Sequence, residues 1–400
     1  MICESDAEVS TSKTQPTIPF AVMPGPGLTS TRLEISDSID WHESDPRELS
    51  IDPGKLSDAV ALAQARGAIA QLCIIRHGKL VLQHNFGCDE RSLFWIFSAS
   101  KPYIAALIYV LADRGLLSLD DPISLHWPEF AGRGKGAITV RHVLQHRTGL
   151  SPVAFPFSEL FSFVNWKRSV RRIENAERHW PAGAVPAYLP LDYGFILGEL
   201  VHRITGKRVD KVLVTEILQR LDARDTYLGL PASEWRRHVP IVATGQRNFI
   251  LQALINRIFT RQAVIPAAGI STTASDLARF YFMLLRSGSF DNARILSASV
   301  IEEARVPSSD GEMGRTANLY IRWSNGFQLG GPRVDPTSIS PFGRLSSPRA
   351  FGHNGSNCCI GWADPDRDLV FAYLTNRLSN RNEAASHLAA VADAVLSACS

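Results

Sequence analysis

Apolar residues in the first part of the chain fall into short runs separated by turn residues. Between Pro53 and Arg66, Leu56, Ala59, Val60 and Ala63 recur at the spacing of one helical face, which predicts a first helix. Gln71 to Arg76 and Lys79 to His84 are apolar-rich runs joined by His77-Gly78, where glycine can adopt the positive φ of a tight turn, so they predict a β-hairpin. After the bulky run Phe94 to Phe97, Ile104, Leu107, Ile108 and Leu111 stand at i, i+3, i+4 and i+7. That spacing predicts a long buried helix over Ser98 to Leu117, with Ser98 as N-cap, Pro102 tolerated near the start and Gly115 near the end.

Between about residue 120 and residue 265 the pattern is mainly helical, with segments expected at Val140 to Gln145, Phe157 to Val170, Leu191 to Ile204, Asp210 to Leu221 and Phe249 to Phe259. Strand patterns return after Gly269, at Leu319 to Gln328, Asn357 to Ala363 and Leu369 to Thr375, and a terminal helix is expected from about Asn382 to Ala398. This order predicts an α/β (α+β) fold in which both ends of the chain build one part and the middle is inserted. Residues 1–45, polar and then rich in proline and glycine, read as an extended arm. Residues 46–400 read as the folded domain, its α/β part over about 46–118 and 266–400 and its helical insertion over about 119–265.

Composition narrows the function without naming it. Of 400 residues, 45% are hydrophobic and 20% charged, as in folded proteins of ordinary composition. A net charge of +3 with acids and bases interspersed lacks the basic stripe of a nucleic-acid binder. The longest apolar stretch, Pro102 to Ala112, is too short to cross a bilayer, so stable membrane insertion is not expected. Met1 to Lys13 carries Glu4, Asp6 and Glu8 without a basic start and apolar run, and the expected compartment is the cytoplasm. Six scattered cysteines with no Cys-x-x-Cys pair read as reduced thiols. His142 and His146 have the spacing of a zinc pair but lack a third ligand nearby, so they read as buried polar histidines, and no metal or organic cofactor is expected.

Ser98-Ala99-Ser100-Lys101 carries the candidate chemistry. Ser-x-x-Lys at a helix start puts hydroxyl and amine on one face within reach of each other. A lysine activates a serine only if burial or a neighbouring cation lowers its pKa. Location decides the matter, because Ser10-Thr11-Ser12-Lys13 has the same letters in the polar arm. A capping serine beside a solvated lysine is the plain alternative for residues 98 to 101. The aromatic-rich stretch Phe155 to Ile173, with Lys167, Arg168, Arg171 and Arg172, reads as an amphipathic helix packing its aromatics inward, and secondarily as a lid over an apolar pocket.

Phe97-Ser98-Ala99-Ser100-Lys101 and the helix behind it resemble the nucleophile segment of class C β-lactamases, penicillin-binding proteins and family VIII carboxylesterases. Further segments agree in order: Ile138 to Leu150, Tyr188 to Leu200 (the family's Tyr-x-Asn region), Ala268 to Phe280, and Phe351-Gly352-His353-Asn354-Gly355, where the family has its Lys-Thr-Gly strand. The resemblance runs from about residue 53 to the C-terminus. It implies a β-lactamase/transpeptidase-like fold, an antiparallel sheet flanked by helices. It also implies a catalytic set of Ser98, Lys101 and Tyr188, with Tyr188 accepting or relaying the serine proton. The backbone N–H groups of Ser98 and Ser356 would form an oxyanion hole, and His353, Asn354 and Gly355 would line the substrate, Gly355 letting an acyl group come close. Without the resemblance, Tyr188 reads as a packing aromatic in a loop.

Two positions depart from the family pattern. Pro190 stands where Tyr-x-Asn has its asparagine, so the contact that side chain makes to lysine or substrate is expected to be missing. His353 stands where Lys-Thr-Gly has its lysine, giving at most partial charge. Both changes weaken recognition of a β-lactam, and the expectation is a serine hydrolase that cleaves a small-molecule ester through a Ser98 acyl-enzyme. An acyltransferase of the same fold, a β-lactamase or peptidase, and a catalytically silent binding scaffold are the alternatives. The sequence does not disclose an oligomeric state.

Overall fold

Strands drawn from both ends of the chain pair into one eight-stranded sheet. The computed structural model describes residues 36–151, 162–244, 249–309, 312–316, 319–332, 335 and 338–399. All pairings within this sheet are antiparallel, and the spatial order is Lys79–Phe86, Ala70–Arg76, Leu369–Thr375, Cys359–Asp364, Phe351–Gly355, Gln328–Leu329, Trp323–Ser324, Pro307–Ser309. The predicted hairpin is present, and its turn uses positive φ at both His77 (53°) and Gly78 (76°). The arm expected over residues 1–45 lies outside the described residues up to residue 35. Beyond it, Asp40 forms a bridge with Lys79 at the sheet edge.

Strand periodicity explains why the sheet is covered on both faces. Leu72 and Ile74 point into a core shared with Leu56, Leu388 and Val391, so the helices Pro53–Ala65 and Arg381–Ala398 pack together on one side. Cys73 and Ile75 point the other way into the larger core, which holds Leu277, Phe280 and Phe282 of the helix Ala274–Leu285 and the buried helix Lys101–Asp113. Ala70–Arg76 and Leu369–Thr375 are therefore buried along their whole length rather than on alternate residues.

The middle of the chain is mainly helical, as its pattern predicts. Val140–Leu144 begins with a capping box of Thr139 and His142, and Asp192–Thr205 ends at Gly206 in the left-handed conformation. Other boundaries differ. Val209–Leu213 runs on into a π-helical turn over Val214–Leu218, and the helix expected over Phe249 to Phe259 breaks at extended Arg257 into Phe249–Ile255 and Ile258–Gln262. The strand expected over Leu319 to Gln328 is cut by a turn at Gly326, whose φ of 112° only glycine adopts without strain. The helix expected from Phe157 starts at Trp166, capped by the Asn165 side chain, and runs to Asn175. Phe155, Phe157, Leu160 and Phe161 of the proposed aromatic lid lie outside the described residues. No helix among the described residues is long and apolar enough to cross a membrane.

Candidate active site

Ser98 sits in a single 3-10 turn, Phe97–Ser100, and the α-helix proper begins at Lys101. The sequence pattern made Ser98 an N-cap, but neither this turn nor the helix has a side-chain cap. The hydroxyl is turned toward other groups: Ser98 Oγ lies 3.1 Å from Lys101 Nζ and 2.7 Å from the Tyr188 hydroxyl. Phe97 holds the turn in place at φ 48°, a conformation that costs a bulky side chain energy and that the surrounding packing must supply. Ser98 itself is half-buried, so its oxygen stays reachable.

Lys101 has no accessible surface. Its amine approaches the carbonyl oxygens of Pro190 at 2.8 Å and Ala267 at 3.3 Å, and no ion pair to Lys101 is found among the described residues. Burial without a compensating charge pulls its pKa well below that of an ordinary lysine. A neutral amine has two N–H groups and one lone pair. Ser98 Oγ and the two carbonyls all lie within reach of Nζ, and the lowered pKa favours the form whose lone pair can take the Ser98 proton. This corrects the expectation at Pro190: the asparagine side chain is absent, yet the backbone carbonyl at that position supplies a lysine contact.

Tyr188 is half-buried, and desolvation pushes its phenol up despite the opposing hydrogen bond to Ser98. The resting group is a neutral phenol that donates to Ser98 Oγ, which differs from a standing phenolate base. His146 holds its loop at three points. The His146 carbonyl accepts from the Ala187 N–H at 2.7 Å, its Nδ1 accepts from the Leu189 N–H at 3.3 Å, and its ring lies 4.7 Å from that of Tyr188. The Trp323 ring stacks on that of Tyr188 at 5.6 Å and also lies 4.6 Å from the His146 ring. Neither His146 nor Trp323 was singled out for this purpose by sequence, since nothing in their spacing relates them to Tyr188.

His353 lies elsewhere than expected. It is 1% exposed and lines neither cavity next to Ser98, because the strand Phe351–Gly355 turns this side chain into the packing with Trp323 and Tyr188. Nδ1 lies 2.6 Å from the Asn354 carbonyl, which can only accept, so Nδ1 carries the proton and Nε2 is bare. Burial, with Lys101 nearby, pulls its pKa to about 3. The site therefore lacks the strand cation of the family pattern. At Gly355 the space a side chain would fill is taken by the nucleophile turn: a Cβ there would stand 1.9 Å from the Ile96 carbonyl oxygen and 3.1 Å from Phe97 Cβ. The close approach that Gly355 permits is between strand and turn rather than between strand and acyl group. Asn354 and Ser356 do face the cleft.

Two cavities meet at Ser98. One, about 600 Å³, is lined by Tyr188, Gln328, Asn354, Asn357, Asn380 and Arg381 among others. The second, about 390 Å³, is almost wholly apolar and includes Phe97, Phe163, Leu254, Ile255, Phe259 and Ile265. Ser98 and Ser356 line both.

An antiparallel sheet flanked by helices, with Ser98, Lys101 and Tyr188 brought together at one point, is the β-lactamase/transpeptidase-like fold of a serine hydrolase. The family model described as Beta-lactamase matches residues 58–396, and the chain belongs to that family. It is 28% identical over 318 residues to the esterase/beta-lactamase LipL of Mycobacterium tuberculosis, covering 71% of this chain and 69% of that one. Among solved structures, EstA from Arthrobacter nitroguajacolicus aligns with a TM-score of 0.72 at 25% identity, over 89% of this chain and 99% of that one. A penicillin-binding protein homologue from Caulobacter crescentus gives 0.73 at 24% identity, over 86% and 98%.

Proposed function

We propose that this chain is an esterase acting through a Ser98 acyl-enzyme. The observation that carries the reading is the position of Ser98 Oγ between the buried Lys101 amine and the half-buried Tyr188 phenol, at 3.1 and 2.7 Å. Lys101 takes the Ser98 proton as Oγ attacks the ester carbonyl carbon. The carbonyl oxygen gains the negative charge and is held by the N–H groups of Ser98 and Ser356. Tyr188 donates its proton to the departing alkoxide as the carbon–oxygen bond breaks, and the Lys101 ammonium restores the phenol. Water then attacks the acyl-enzyme by the same groups in reverse roles, releasing the acid and regenerating Ser98.

Ester rather than β-lactam cleavage is favoured by His353, which stays neutral and turned away where the family pattern has a lysine. The name of the 28% identical relative, esterase/beta-lactamase, carries ester cleavage as one of two activities. Intact-mass measurement after incubation with a fluorophosphonate tests it. One adduct is expected on the wild type and none on Ser98→Ala; a folded wild type that takes up no reagent overturns the assignment.

A further inference from the structure

The two cavities differ in chemistry, and the position of the proton donor says which half of the substrate each receives. Tyr188 lines the larger cavity, which mixes amide, guanidinium and apolar side chains, and is absent from the lining of the almost wholly apolar one. In the tetrahedral intermediate the acyl carbon carries four groups: Ser98 Oγ, the oxyanion, the departing oxygen and the acyl chain. The departing oxygen must take its proton from the Tyr188 hydroxyl, so it points into the cavity that contains Tyr188. The oxyanion is committed to backbone N–H groups between the cavities, which leaves the apolar cavity to the remaining substituent.

Resting on the esterase reading, we propose that the substrate is an ester of an extended apolar acid with a polar, hydrogen-bonding alcohol. The acyl chain runs into the pocket built by Phe97, Leu251, Leu254, Ile255, Phe259 and Ile265. The helix Phe249–Ile255 supplies Leu251, Leu254 and Ile255 at i, i+3 and i+4, so one helical face forms a continuous wall. Leu251 and Phe259 are 38% and 44% exposed, so the far end of the pocket opens to solvent and sets no abrupt limit on chain length. The alcohol half lies in the larger cavity, where the amide and guanidinium groups of Gln328, Asn354, Asn357, Asn380 and Arg381 offer partners to hydroxyl or carbonyl oxygens beside apolar Ile321, Leu329, Ile339 and Phe342.

The test crosses two ester series on the full chain. One fixes p-nitrophenol and lengthens the acid from acetate through butyrate and hexanoate to octanoate, and the other fixes acetate and lengthens an unbranched alcohol. In the wild type, kcat/KM rises along the acid series, by up to about fourfold for each methylene buried, and not along the alcohol series. Leu254→Trp, which fills the pocket, lowers the octanoate-to-acetate ratio at least about tenfold and leaves the ratio along the alcohol series unmoved. Should that variant fail to fold, Leu254→Ser gives the same reading by removing apolar surface. A flat or falling acid series in the wild type, or a substitution that moves the alcohol series instead, overturns the inference. An enzyme that labels at Ser98 but shows a flat acid series fails here alone, whereas absence of labelling fails the esterase reading itself.

Discussion

Lys101 Nζ lies 2.8 Å from the carbonyl oxygen of Pro190. That contact comes from the main chain, so it does not depend on which side chain occupies position 190. Pro190→Ala is expected to change kcat/KM for a p-nitrophenyl ester by less than about tenfold, while Lys101→Met, removing the proposed base, lowers it by about 10² to 10⁴. Steady-state kinetics on the two variants check this, and an equal loss in both would mean that the proline ring itself is required.

The acid limb of the pH profile should belong to Lys101. Below its lowered pKa the amine is protonated and cannot accept the Ser98 proton, so kcat/KM rises with pH through that value and then levels off. Because burial raises Tyr188, the phenol keeps its proton beyond the ordinary tyrosine range and the plateau extends accordingly. His353, neutral down to about 3, adds no inflection near the usual histidine value. A profile measured on Ser98-labelling enzyme, in which His353→Gln moves the acid limb by more than about one unit, would contradict this assignment of groups.

His353 should also make the protein less stable in acid. Its pKa is about 3 when folded against 6.5 in an unfolded chain, so between those values the unfolded state binds the extra proton and stability falls as pH falls. Going from about pH 7.5 to about pH 5, the loss from this one group is about 2 kcal/mol. Asp276, raised to about 6 by burial, acts with the opposite sign over part of that range, so the informative quantity is the difference between wild type and His353→Gln. Urea unfolding at the two pH values should show a shallower pH dependence in the variant.

Gly355→Ala is expected to disable the site through packing. The new methyl group would meet the Ile96 carbonyl at 1.9 Å, and the strand must move away from the turn that carries Ser98. A cost of about 1 to 3 kcal/mol in stability is typical of such overpacking. Fluorophosphonate labelling should slow at least about tenfold while circular dichroism stays that of a folded protein, because a displacement of this size separates Ser98 from both of its partners.

Two parts of the site were legible in the sequence for different reasons. Residues 98 and 101 stand three apart at the start of an apolar helix, and local geometry alone puts such a pair on one face. The first hairpin, the first helix and the terminal helix were legible for the same reason, since each depends on a short periodic pattern. Tyr188 could be named only through resemblance, because a loop residue ninety positions from Ser98 leaves no periodic trace. Family matching misled at His353, whose position on the strand is right but whose imidazole is folded into packing against Trp323 and Tyr188.

By itself the sequence determined the first helix, the first hairpin and the terminal helix, and that a serine and a lysine stand three residues apart at the start of a buried helix. Whether that lysine can act as a base was decided by tertiary structure. Its amine is stripped of water by the core and met by carbonyls 89 and 166 residues away, and no carboxylate is paired with it among the described residues. Desolvation and long-range carbonyl contacts have no local signature, because they arise only when distant segments close around one nitrogen atom.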